Sequence, residues 1–210
     1  MQHYIFNAIP TSESGNLCQD LVKSCAEKAN LVVLRNKSAE GIGKALYRFF
    51  GMGALKDVAE TDTIYIVMHG SGYGGTTKMA ITRDKKTEVN GKVVWVPGVQ
   101  KVYGVNELAR ALKKEELRTG FVDLHLLTCG SGFAGDENTH PSFKGKVVPN
   151  AVGAPLAKRL KDALAGLGYK SLKVTGYKGD ILVNIKREGW FSVETPNGDI
   201  VAANLTAIQF

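Results

Sequence analysis

Hydrophobic positions along this chain follow two spacings. Short, continuous and β-branched runs, Leu31-Val32-Val33-Leu34, Thr63–Met68, Val122–Thr128 and Leu172–Thr175, read as strands buried on both faces, the pattern of a parallel sheet. His3–Ile9 alternates well enough to be a first strand, closed by Pro10. Between these runs the apolar residues recur every three or four positions, as on one face of a helix. One predicted helix starts at a Ser12 or Ser14 cap and runs to about Ala29, with Leu17, Leu21 and Cys25 inward. A second spans about Ser38 to Val58, with Leu46, Phe49 and Phe50 as its stripe and Gly51 and Gly53 interrupting it. Two more run from Val105 to Leu117 and from Ala154 to Leu167, the latter closed by Gly168.

The period changes between Gly72 and Gly104. Asn90-Gly91 is a hairpin turn flanked by Thr87-Glu88-Val89 and Lys92–Val96. The tail predicts strands around Ile181–Ile185, Trp190–Glu194 and Ile200–Ala203, with Pro196-Asn197-Gly198-Asp199 as its last turn. Strand and helix thus alternate, which builds an α/β fold with right-handed crossovers. The expected architecture is a mainly parallel sheet flanked by helices on both faces, with a β-hairpin insertion and a C-terminal β extension. No repeat or long linker divides the 210 residues, so residues 1–210 are expected to form one domain.

Composition narrows the partners. Hydrophobic residues make up 44% and charged residues 22%, as in a globular protein. No apolar run is long enough for a membrane span. Met1-Gln2-His3-Tyr4-Ile5-Phe6-Asn7 lacks the basic and apolar regions of a signal peptide, so cytoplasmic synthesis is the default expectation, with export by another route left open. The net charge of +7 is scattered, with acidic residues beside most basic groups, and no arginine stripe with interleaved aromatics suggests nucleic-acid binding. The 3 cysteines, Cys18, Cys25 and Cys129, form no CxxC pair, which argues against a disulfide framework and a structural zinc site. Cys18 and Cys25 fall on one helix face as small buried apolar residues.

Two of the strand-like runs end in chemistry. Thr63–Met68 runs into His69-Gly70, and Val122–Thr128 runs into Cys129-Gly130-Ser131-Gly132. In an open α/β sheet the carboxyl ends of neighbouring strands gather ligands and reactive side chains. A cysteine attacks as thiolate and needs a group to take its proton, which histidine does near neutral pH. The alternatives are a hydrogen-bonded histidine at a strand end and a buried thiol. The cluster Gly70-Ser71-Gly72-Tyr73-Gly74-Gly75 lacks the Gly-Lys-Ser/Thr ending of a phosphate loop, and no Gly-x-Ser-x-Gly is present. His125 reads as a core or sheet-face residue, His3 as part of the first strand or solvent-facing, and His140 as exposed.

A strand ending in His-Gly, then a helix, then a strand ending in Cys-Gly/Ser resembles the caspase-like cysteine peptidases. That clan includes caspases, gingipains, clostripain, legumain and the self-cleaving protease domains of bacterial toxins. Ile64-Tyr65-Ile66-Val67-Met68-His69-Gly70 and Leu124-His125-Leu126-Leu127-Thr128-Cys129 carry the likeness, although Thr128 stands where the family often has alanine or glutamine. The resemblance implies a cysteine endopeptidase with Cys129 as nucleophile and His69 as base or proton donor. It implies Gly70 and Cys129 N–H groups as oxyanion donors, and neither metal nor organic cofactor. Gly130 and Ser131 would let a peptide substrate lie close. Asp180 either meets a basic P1 side chain or is an exposed loop aspartate. The implied partner is a peptide or protein substrate, self-cleavage included, and the implied setting is a toxin-processing or effector protein. Family practice also implies activation by cleavage within Phe133–Asn150. The rival from another class is a catalytically inactive caspase-like binding or scaffold module; a third is a different cysteine-dependent acyl transferase or hydrolase.

Overall fold

The computed structural model describes residues 1–7, 31–34, 53, 55–68, 70, 79–134, 153–182 and 191–210. Its central element is β3 (Thr63–Val67), buried at every position, as its unbroken apolar and β-branched sequence requires. Parallel strands lie on both sides of it: β1 (His3–Asn7) and then β2 (Leu31–Leu34) on one, β6 (Asp123–Leu127) and then β7 (Lys173–Tyr177) on the other. The order is β2-β1-β3-β6-β7-β11, and β11 (Ala207–Gln209) runs antiparallel to β7 at the edge. An α/β fold with a mainly parallel sheet is therefore present. The sequence expectation ends its strands at Ala203, whereas β11 adds a short edge, tied down by mutual hydrogen bonds between Phe210 and Val174.

Among the described residues two helices accompany the sheet. In α1 (Val105–Lys114) Leu108 and Leu112 are fully buried, and the Glu107 carboxylate accepts from the Gly104 N–H at 3.0 Å, capping the first turn. In α2 (Leu156–Ala165) Leu156, Leu160 and Leu164 are fully buried. Both helices stop short of the predicted ends. Glu116 leaves α1 with φ 63, and Leu117 folds back to donate to the Leu112 carbonyl. The predicted helices over 12–29 and most of 38–58 lie outside the described residues, so the expected helical layers on both faces are seen only in part. The second of these does not reach Val58: Gly53 takes φ +64, and residues 55–57 form a turn that buries Leu55 and Val58 in the core.

The hairpin is longer than Thr87–Val96. Strands β4 (Met79–Val89) and β5 (Lys92–Tyr103) meet at Asn90 and Gly91, whose φ values of 54 and 73 make the expected two-residue turn. The C-terminal extension is a small antiparallel sheet in the order β10-β9-β8, with β8 at Asp180–Leu182, β9 at Ser192–Glu194 and β10 at Ile200–Ala202. Residues 183–190 of the predicted strands lie outside the described residues. Among those described, no helix is long and apolar enough to cross a membrane.

The two faces of the main sheet differ. Ile64, Ile66, Leu124, Leu126 and Val174 share one face with Gly176, where α2 approaches. The other carries a polar and aromatic row from neighbouring strands. Tyr65 and His125 stack with ring centroids 4.7 Å apart, and Tyr177 meets Phe191 edge-on at 5.1 Å. His3 lies on this face beside Tyr65, at 6.1 Å, so both His3 and His125 are sheet-face residues.

Candidate active site

The site grows from the register of β3 and β6. Thr63 pairs with Asp123 and each successive residue pairs in step, up to Val67 with Leu127. The Met68 N–H then reaches the Leu127 carbonyl at 3.4 Å. Both strands leave the sheet at the same end, and positions 69 and 129 each stand second after the last paired residue. His69 itself lies outside the described residues. Its neighbours do not: Met68 is buried, and Gly70 is half-buried.

After β6 the chain turns tightly. Ser131 N–H bonds the Thr128 carbonyl and Phe133 N–H the Gly130 carbonyl, both at 3.1 Å, while Gly130 adopts φ +70, a left-handed conformation that glycine takes without strain. The end of β7 holds this turn. The Gly132 N–H donates to Tyr177 O and the Gly130 N–H to Gly179 O, each at 2.9 Å. Gly176 is packed so closely that a Cβ there would lie 2.7 Å from the Ser131 carbonyl oxygen and 2.8 Å from the Ala157 Cβ.

Ser131 lies inside this turn. Its side chain is fully buried: the hydroxyl donates to Leu126 O at 3.2 Å and accepts from the Tyr177 N–H at 3.1 Å. It ties the backbone of β6 to that of β7. Gly130 is held in the same way. It is buried and its N–H is already committed to Gly179, so its contribution is the shape of the turn. Thr128, next to the cysteine, is fully buried, and among the described residues its Oγ1 has no hydrogen-bond partner.

Cys129 is half-buried at the outer corner of the turn. The Ile181 N–H points at its Sγ from 3.4 Å, and the Asp180 carboxylate hydrogen-bonds the thiol. Burial pushes the thiol pKa up to about 12, and the Asp180 charge and hydrogen bond add to that rise, while the Ile181 N–H works against it. Asp180 is thus no exposed loop residue. It opens β8, is half-buried, and pairs across the strands with Glu194.

Beneath the turn runs a hydrogen-bonded chain. Thr63 Oγ1 donates to Asp123 Oδ2 at 2.8 Å, Asp123 Oδ1 faces His125 Nε2 at 3.3 Å, and His125 Nδ1 meets the Tyr177 hydroxyl at 2.7 Å. With Asp123 accepting from Nε2–H, Nδ1 is left to accept from the phenol. Burial raises the Asp123 pKa, but the hydrogen bonds from His125 and Thr63 outweigh it and hold the carboxyl below its ordinary value. Burial, followed by the neighbouring Tyr65 and Asp123, pushes the Tyr177 phenol up.

Among the described residues no cluster of three or more His, Cys, Asp or Glu side chains could hold a metal ion. The sequence reading missed Tyr177 and Ile181. Tyr177 follows the last predicted residue of a strand, and Ile181 looks like any apolar strand residue. No local signal marks either one, because both matter through contacts made with a strand distant in sequence: Tyr177 through its backbone and hydroxyl, Ile181 through its N–H. No protein-family model and no curated protein matches this chain.

Proposed function

We propose that the chain is a cysteine endopeptidase of the caspase-like kind, with Cys129 as nucleophile and His69 as its partner. The observation that carries the reading is the in-step parallel pairing of β3 and β6, from which His-Gly and Cys-Gly both leave at the same end. The order of that sheet, with a parallel centre and an antiparallel edge, supports a caspase-like arrangement.

In this reading Cys129 Sγ gives its proton to the His69 imidazole and attacks the scissile carbonyl carbon. The N–H groups of Gly70 and Cys129 hold the oxyanion. On collapse His69 returns the proton to the leaving amine, and water then hydrolyses the thioester to release the acid and restore the thiol. Strand β8 supports the reading on the substrate side. It is the edge of its small sheet beside the thiol, and an extended peptide can add to such an edge through backbone hydrogen bonds.

The thiol held protonated by burial and Asp180 favours the second reading, an inactive binding or scaffold module. Peptidyl acyloxymethyl ketones separate the two, since they require both peptide recognition and an attacking thiol. An active peptidase couples one to Cys129, leaves Cys18 and Cys25 unmodified, and loses the reaction in His69→Ala. A scaffold gives no Cys129 adduct with any peptide of the panel.

A further inference from the structure

Tyr177, the last residue of β7, is bonded through its backbone and its side chain at once. Its N–H donates to Ser131 Oγ at 3.1 Å, and its carbonyl accepts from the Gly132 N–H at 2.9 Å. Both peptide groups thus hold the turn that carries Cys129. Gly132 presses on the same backbone, since a Cβ there would lie 3.0 Å from the Tyr177 N and carbonyl carbon. The side chain lies on the polar face of the sheet and is 3% exposed. Its ring stands edge-on to Phe191 at 5.1 Å, and its hydroxyl is 2.7 Å from His125 Nδ1. That acceptor is prepared two steps away. Thr63 and His125 keep Asp123 a carboxylate, Asp123 accepts from Nε2–H, and this tautomer leaves Nδ1 a lone pair for the phenol. Burial keeps the phenol protonated, so it stays a donor. A buried side chain fixed at both ring and hydroxyl has one rotamer, and one rotamer restricts the backbone that carries it.

We propose that Tyr177 is a positioning residue for Cys129: its hydroxyl, anchored on His125, holds the end of β7 in the arrangement that grips the turn. The inference rests on Cys129 being the nucleophile, and Tyr177 itself touches no reacting atom. The β6–β7 ladder stops at His125 and Thr175. Beyond it, Ser131, Gly132 and Gly130 hold the two chains together through Tyr177 and Gly179. Without the hydroxyl, His125 Nδ1 loses its donor, the ring is free to turn, and the peptide groups of Tyr177 lose their fixed direction. The turn then opens locally while the centre of the sheet stays closed. A thiol displaced by about an ångström attacks more slowly, whereas substrate binding is unaffected, so the loss falls on kcat and not on KM.

Native-state hydrogen exchange, followed by NMR on the intact chain, reads this grip directly. The Gly130 and Gly132 amides report the turn, and the Ile66 and Leu126 amides report the centre of the sheet. Leaving a buried acceptor unsatisfied shifts a local opening equilibrium by roughly five- to a hundredfold. Tyr177→Phe is therefore expected to speed exchange at Gly130 and Gly132 at least about fivefold relative to Ile66 and Leu126. A hydroxyl with only a general structural role would speed all four alike. His125→Leu should reproduce the effect. His125→Gln, whose amide can donate to Asp123 and accept from the phenol, should restore the wild-type ratio. In peptide hydrolysis Tyr177→Phe should lose roughly tenfold in kcat at unchanged KM. An unchanged exchange ratio in Tyr177→Phe overturns the proposal, as does an unchanged ratio in His125→Leu if the first variant fails to fold. So does a glutamine variant no better than leucine, or a loosened turn that leaves kcat where it was. If the ratio moves as expected but no peptide is cleaved even by wild type, the grip on the turn stands and the endopeptidase reading falls. Cleavage by wild type with an unmoved ratio gives the reverse.

Discussion

Asp123 shows how one polar residue on a sheet face is kept charged. Its two carboxylate oxygens are divided between Thr63 and His125, and these bonds outweigh the burial that would otherwise raise its pKa. A carboxyl whose folded pKa lies below its ordinary 3.8 contributes stability that is fully present above that pH and lost as pH falls through the folded value. Asp123→Asn is expected to cost about 1–3 kcal/mol at pH 7, through the buried partners it leaves poorly bonded. In urea melts from pH 7 to pH 2 the gap between wild type and variant should shrink below pH about 4. A gap that stays constant over that range would show that the charge on Asp123 is not what holds the network. Ser131 illustrates the same economy in neutral form, since one buried hydroxyl satisfies both a carbonyl of β6 and an amide of β7.

At the scale of elements, the turn that carries Cys129 is gripped between β7 and α2. Gly176 is the point of closest approach, with the Ser131 carbonyl and Ala157 Cβ both within 2.8 Å of where a side chain would start. Gly176→Ala must push the turn or the helix aside. It should lose about 1–3 kcal/mol in thermal or denaturant unfolding, the usual cost of overpacking. An alanine variant as stable as wild type would mean that the turn is looser than the packing implies. The strands β2, β3, β6 and β7 were legible because buried parallel strands write themselves as continuous apolar runs, β1 because its residues alternate, and Asn90-Gly91 because few sequences accept two positive φ angles in succession. Strand β11 was not. Its three residues, Ala207–Gln209, have no pattern of their own and exist as a strand only because β7 offers an edge. The site divides along the same line. Cys129 and Gly70 could be placed at strand ends from the sequence, but the partners of the thiol, Asp180 and Ile181, come from a strand whose position depends on tertiary pairing with β9.

On the scale of the whole molecule, the sheet order places β3 and β6 at the centre, with parallel neighbours that fix their register. The small sheet β10-β9-β8 then lays β8 across the exit of β6. The resulting corner joins a thiol, an edge strand and the flanks of His69. The measurement that tests this most directly is hydrolysis of a fluorogenic peptide library, scanned at P1, by wild type, Cys129→Ala and His69→Ala of equal melting temperature. The account predicts turnover of at least one pool by wild type, none above background by Cys129→Ala, and a roughly hundred- to ten-thousand-fold loss in His69→Ala. Turnover that survives in Cys129→Ala, or a wild-type chain that cleaves no pool, would contradict it.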